Sequence, residues 1–148
     1  MSYEINLRIG AKTSPEEAFK ALTQPDQLAR WWTPDTRGNG TKVGDTLEFW
    51  FGDFCEKFRV TDLTPGKEVA WQAPRGQGAP DWEGTEVTFN ISKDENQTFV
   101  RFRHAGWAEN SDFHAHCATR WAVFMVSLKE LLETGKGRPI PNDLRVDY

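Results

Sequence analysis

Residues 111–135 read SDFHAHCATRWAVFMVSLKELLETG. Phe113, Cys117, Trp121, Phe124, Leu128 and Leu131 recur at spacings of three and four, the apolar stripe of a helix, while Lys129, Glu130 and Glu133 fall elsewhere around the axis. Gly135 is placed to stop the helix. About 24 residues rising 1.5 Å each give a helix on the order of 36 Å, long enough to lie along a whole sheet. The segment that precedes it supplies such a sheet. Leu47 to Phe51, Phe54 to Leu63, Glu68 to Ala73, Thr85 to Ser92 and Thr98 to His104 read as consecutive strands. Thr64-Pro65-Gly66-Lys67 and Lys93-Asp94-Glu95-Asn96 have hairpin composition between them. Pro74 to Gly84 is a longer Pro/Gly-rich loop, suited to covering an opening.

At the amino end, Tyr3, Ile5, Leu7 and Ile9 alternate with Glu4, Asn6 and Arg8, which makes a strand with one wet face. Ser14-Pro15-Glu16-Glu17 then opens a short helix with a capping Ser, a Pro at the first helical position and a Glu three residues after the cap. Pro25-Asp26 opens a second helical turn that runs to Trp31 and ends at Pro34 and Gly38-Asn39-Gly40. The expectation is an α+β domain over residues 1–148, a curved antiparallel sheet of six or seven strands against one long terminal helix. The stretch after Gly135 reads as a tail.

Composition narrows the function. Net charge is −4, with Lys and Arg scattered singly, which argues against nucleic acid, whose binding needs clustered cations. No apolar stretch approaches the roughly 20 residues of a membrane span, and the first residues lack the basic-then-apolar layout of a secretory signal, so a cytoplasmic protein without membrane insertion is expected. Cys55 and Cys117 are too few for a disulfide framework and read as two buried, reduced thiols.

Three segments carry a resemblance. Pro25-Asp26-Gln27-Leu28-Ala29-Arg30-Trp31-Trp32-Thr33-Pro34, His104-Ala105-Gly106-Trp107, and the helix from Trp121 to Glu133 together resemble the heat-shock-protein-ninety ATPase activator-like (AHSA) branch of the START and birch-pollen-allergen (SRPBCC) superfamily. Arg120, where many relatives have a small residue, departs from that pattern. The resemblance implies the helix-grip fold and, for most relatives, a pocket for hydrophobic molecules. It also leaves open a small cyclase or hydrolase, or a chaperone-associated role, with the chain a monomer or homodimer.

Seven Trp and ten Phe concentrate apolar area in large side chains. Phe49, Phe51, Phe58, Trp71, Phe89, Phe102, Phe113, Trp121 and Phe124 read as walls around a space, with Trp32 and Cys117 beside them, a reading that leans on the resemblance; the plainer alternative is a well-filled core. The expected ligand is a small lipophilic, ring-containing molecule. Glu56 shares a strand face with Phe58 and Val60, and His104 with Val100 and Phe102, so both stand as candidates to orient a ligand or act as acid and base. The plainer alternative gives Glu56 a neighbouring Arg or Lys and His104 a backbone cap at the sheet rim. His104, His114, His116 and Cys117 lack metal-ligand spacing, and neither a metal nor a cofactor is expected. No nucleophile elbow or phosphate loop is present.

Overall fold

A computed structural model describes residues 2–147. Strand β1 (Tyr3–Ala11) leads into helices α1 (Pro15–Thr23) and α2 (Pro25–Leu28). Strands β2 (Thr36–Gly38), β3 (Thr46–Phe51), β4 (Phe54–Thr64), β5 (Glu68–Gln72), β6 (Glu86–Lys93) and β7 (Thr98–Trp107) follow, and α3 (Asp112–Thr134) completes the fold. The strands form one antiparallel sheet in the order β1-β7-β6-β5-β4-β3-β2, so β2 to β7 are a meander and β1 closes on β7. This is the α+β, helix-grip arrangement that the sequence predicts, with seven strands.

The helix ends follow local chemistry. Ser14 Oγ accepts from the Glu17 N–H at 3.2 Å and Ser111 Oγ from the His114 N–H at 3.2 Å, each satisfying a donor that the first helical turn leaves open. Gly135 takes φ 82°, and its N–H returns to the Leu131 carbonyl, the left-handed stop that glycine adopts without strain.

Two strands depart from strict alternation. In β4 the pairing slips between Val60 and Asp62, so Asp62 faces solvent and Leu63 packs on the core. Strand β7 runs three residues beyond His104. A register shift opposite Tyr3 and Glu4, with Gly106 at φ 92°, rotates Trp107 inward to 1% exposure. β2 has no forerunner in the sequence reading, because three residues beside a Gly/Asn cluster are too short to show a period.

The residues after α3 are tied down. Ile140 donates its N–H to the Trp32 carbonyl at 2.9 Å, and Arg138 donates its N–H to Ser127 Oγ at 2.7 Å. Ser127 Oγ–H in turn donates to the Trp31 carbonyl. The Trp31-Trp32 pair is thereby held in the core, both rings buried. Cys117 is a buried free thiol, whereas Cys55 is only half-buried, because alternation along β4 puts it on the face opposite the buried Glu56 and Phe58. No helix among the described residues is long and apolar enough to cross a membrane.

Candidate functional site

A cavity of about 280 Å³ opens where the β3–β4 hairpin, the loop after β5 and the first half of α3 approach one another. Trp32, Phe51, Glu56, Phe113, Cys117, Trp121 and Phe124, all singled out in the sequence, line it. Phe54, Ala79, Trp82, His116 and Arg120 line it as well and were not foreseen.

The other expected wall residues stand elsewhere. Phe49, Phe58, Trp71, Phe89 and Phe102 are fully buried and interlock ring against ring. Trp71 meets Phe89 edge-on at 5.1 Å between centroids and Phe58 at 5.6 Å, and Phe89 meets Phe102 at 5.5 Å. Neighbouring strands lie about 4.8 Å apart, so large rings on one face of adjacent strands fill each other's space. These five form packed core and do not line the cavity.

Phe113 also differs from expectation. The inward face of α3 begins at His114 and passes through Cys117, Trp121, Phe124 and Leu128. Phe113, one residue or about 100° earlier, is 40% exposed and touches only the cavity's mouth.

Glu56 is placed by strand alternation. It lies on the buried face of β4 between Phe54 and Phe58, paired with Phe49 of β3, and is 2% exposed. Its Oε1 accepts the Ala79 backbone N–H at 2.5 Å, which fastens the loop to the sheet. Its Oε2 is buried without a hydrogen-bond partner, and none of the ion pairs among the described residues includes it. Burial pushes the carboxyl up to about 7, with the Ala79 N–H pulling the other way. The expected Lys or Arg partner is not what holds it.

His104 is a buried polar group on β7, and it does not line the cavity. Trp121 Nε1–H lies 3.2 Å from its Nδ1, and an indole N–H can only donate. Nδ1 is therefore the acceptor, and Nε2 carries the proton, donating to Thr85 Oγ1 at 2.8 Å. Thr85 Oγ1–H then donates to the Trp82 carbonyl at 2.6 Å. Burial, with a smaller contribution from His114, drives the imidazole down to about 3, so it stays neutral. With both nitrogens engaged, His104 holds Trp121 and the Trp82 turn in place rather than presenting a free base. The rim cap expected from sequence becomes an interior tie.

That tie explains Trp82. The turn Pro80–Trp82 folds its indole inward, stacked on Trp121 at 5.9 Å and 19° and edge-on to His104 at 5.0 Å. A lone Trp in a Pro/Gly-rich loop was the available signal, since about 200 Å² of indole seeks a place to be buried. Cys117 is held as a thiol, raised to about 11 chiefly by burial. No group of three or more His, Cys, Asp or Glu among the described residues is placed to hold a metal.

Known proteins fix the family. The Aha1 dimer of Colwellia psychrerythraea shares 50% identity over 91% of this chain and 99% of that one, with a TM-score of 0.83. A conserved protein of unknown function from Enterococcus faecalis shares the fold at 19% identity, over 97% of this chain and 78% of that one, with a TM-score of 0.76. A protein from Mesorhizobium loti does so at 18% identity, over 88% and 96%, with a TM-score of 0.75. No curated protein matches the chain. The model of the family "Activator of Hsp90 ATPase homolog 1-like protein" matches residues 12–133, and the chain belongs to that family.

Proposed function

We propose that this protein binds a small hydrophobic, ring-containing molecule in the cavity between the β3–β4 hairpin, the Pro74–Gly84 loop and α3. The observation that carries the reading is a space of about 280 Å³ bounded by Trp32, Trp82, Trp121, Phe51 and Phe124, with one carboxyl among them. Ligand sites are typically such apolar hollows with a few polar groups to set orientation. Apolar burial contributes about 25 cal/mol per Å² removed from water, and Glu56 selects the pose.

Titration with 2-naphthol, followed by quenching of tryptophan fluorescence, tests this. Saturable binding at one site is expected, because three of the seven indoles face the cavity. Cys117→Phe, which fills the space from α3, should abolish binding while leaving the circular dichroism unchanged. Non-saturable quenching in the unaltered protein would sink the proposal.

A second reading has its own support. A carboxyl near 7 in an apolar site is poised to give or take a proton at neutral pH, so Glu56 also fits a general acid or base in a small cyclase or hydrolase. Turnover lost in Glu56→Gln with binding retained would distinguish the enzyme from the carrier.

A further inference from the structure

Four side chains lining the cavity carry charge or titrate: Glu56, His116, Cys117 and Arg120. Three of them are settled within the protein. His116 Nδ1 pairs with the Asp147 carboxylate at the mouth. Arg120 lies over the Phe124 ring at 5.0 Å and reaches the Asp143 carboxylate at 3.3 Å. Cys117 is a buried thiol.

Glu56 alone is left unmatched. One oxygen takes a single backbone N–H, and the other is buried with no donor. Neither the Arg120 guanidinium nor an imidazole is among the groups that move its carboxyl. An acceptor buried without a donor has lost its water with nothing in return, and the loss is greater when it is ionised. A ligand that brings the missing donor recovers that loss.

The surroundings say which donor. Trp32, Trp82 and Trp121 line the same cavity, and indole faces attract cations more than any other ring, most strongly where water is excluded. A neutral hydroxyl gains only the hydrogen bond from this setting, whereas an ammonium gains the bond, the charge and the ring faces. Gly78 of the Pro74–Gly84 loop packs so closely on the carboxylate that a Cβ there would stand 2.2 Å from Oε2, so only bare backbone covers that oxygen on the loop side. We propose, resting on the binding reading above, that the molecule this cavity selects is a cationic amine bearing an apolar ring, its ammonium set against Glu56 and its ring among the indoles.

Four probes of nearly one shape test this by calorimetry at about pH 8: phenethylamine, phenethyl alcohol, ethylbenzene and phenylpropionate. Phenethylamine should bind at least about tenfold more tightly than the alcohol or the hydrocarbon, with phenylpropionate weakest. Glu56→Gln should remove the preference and leave ethylbenzene unchanged. In the unaltered protein, the preference should shrink as pH falls below about 7 and the carboxyl takes up its proton. Because His116 is also an imidazole at the mouth and His114 lies nearby on α3 against Trp107, the same series in His116→Asn and His114→Asn should show the same pH dependence.

An amine that binds no better than the alcohol overturns the proposal, and so does a preference that survives Glu56→Gln. If ethylbenzene and phenethyl alcohol bind while the amine gains nothing, selection by charge fails and the hydrophobic site stands. If none of the four binds, both fail.

Discussion

Two parts of one interior are built from the same kinds of side chain and end differently. Along the middle of the sheet, Phe58, Trp71, Phe89 and Phe102 come from successive strands and meet at 5.1 to 5.6 Å. Beside the β3–β4 hairpin, Trp32, Trp82, Trp121 and Phe51 come from the turn after α2, a loop, a long helix and a strand, and they surround about 280 Å³. Hydrogen-bonded neighbours in a sheet cannot be spaced apart, so their rings fill one another's volume. Elements joined only by side chains can be. The Glu56–Ala79 bond and the run Trp121, His104, Thr85, Trp82 set where the loop and α3 stop, and the hollow is what remains.

The packed part should respond most to truncation. Phe89→Ala removes a ring enclosed by Trp31, Trp71 and Phe102 and should destabilise the fold by about 3–5 kcal/mol in urea unfolding. A loss near 1 kcal/mol would mean that this part collapses easily and the contrast is false.

Next in size is a difference in pH dependence, since one titrating group belongs to each part. His104 falls from 6.5 to about 3 on folding, so its contribution is present above 6.5 and lost as pH falls toward 3, where the unfolded chain takes the proton first. Glu56 rises from 4.5 to about 7, so the folded state keeps a proton that the unfolded chain has released, and stability falls as pH rises through that range. Between about 4.5 and 6.5 the two slopes oppose each other. Glu56→Gln should expose the His104 slope there and stabilise the protein by about 1–2 kcal/mol at pH 8, measured by urea unfolding across pH. An unchanged profile would mean that the carboxylate keeps its water.

The smallest stability effect belongs to the mouth. Phe113→Ala and Phe54→Ala remove rings that are 40% and 45% exposed and should each change stability by less than about 1 kcal/mol. Binding of 2-naphthol should nonetheless weaken several-fold. Equal losses at Phe113 and Phe89 would erase the distinction between mouth and core.

Much of the fold was legible because its signals are local. The Ser14-Pro15 cap, the spacing from Cys117 to Leu131 and the alternation in β1 each depend on a few adjacent residues, and each appears where expected. The site was legible only in part. Alternation places Glu56 and His104 on inward rows, yet it cannot say that one faces a cavity while the other is bonded at both nitrogens. Bulges break the alternation where a local period shows nothing: Gly106 turns Trp107 inward, and the slip after Val60 turns Asp62 outward. A register shift depends on the partner strand, which a local period does not contain.

Chemistry written along the chain was thus enough for an α+β helix-grip architecture, an aromatic-rich interior and a carboxyl on an inward face. Which rings are enclosed by others on every side and which also border the hollow was decided by the tertiary structure alone. That outcome depends on the distance between elements remote in sequence, β4 from the loop at Ala79 and β7 from α3, and distance across a fold is a property of packing rather than of any one segment.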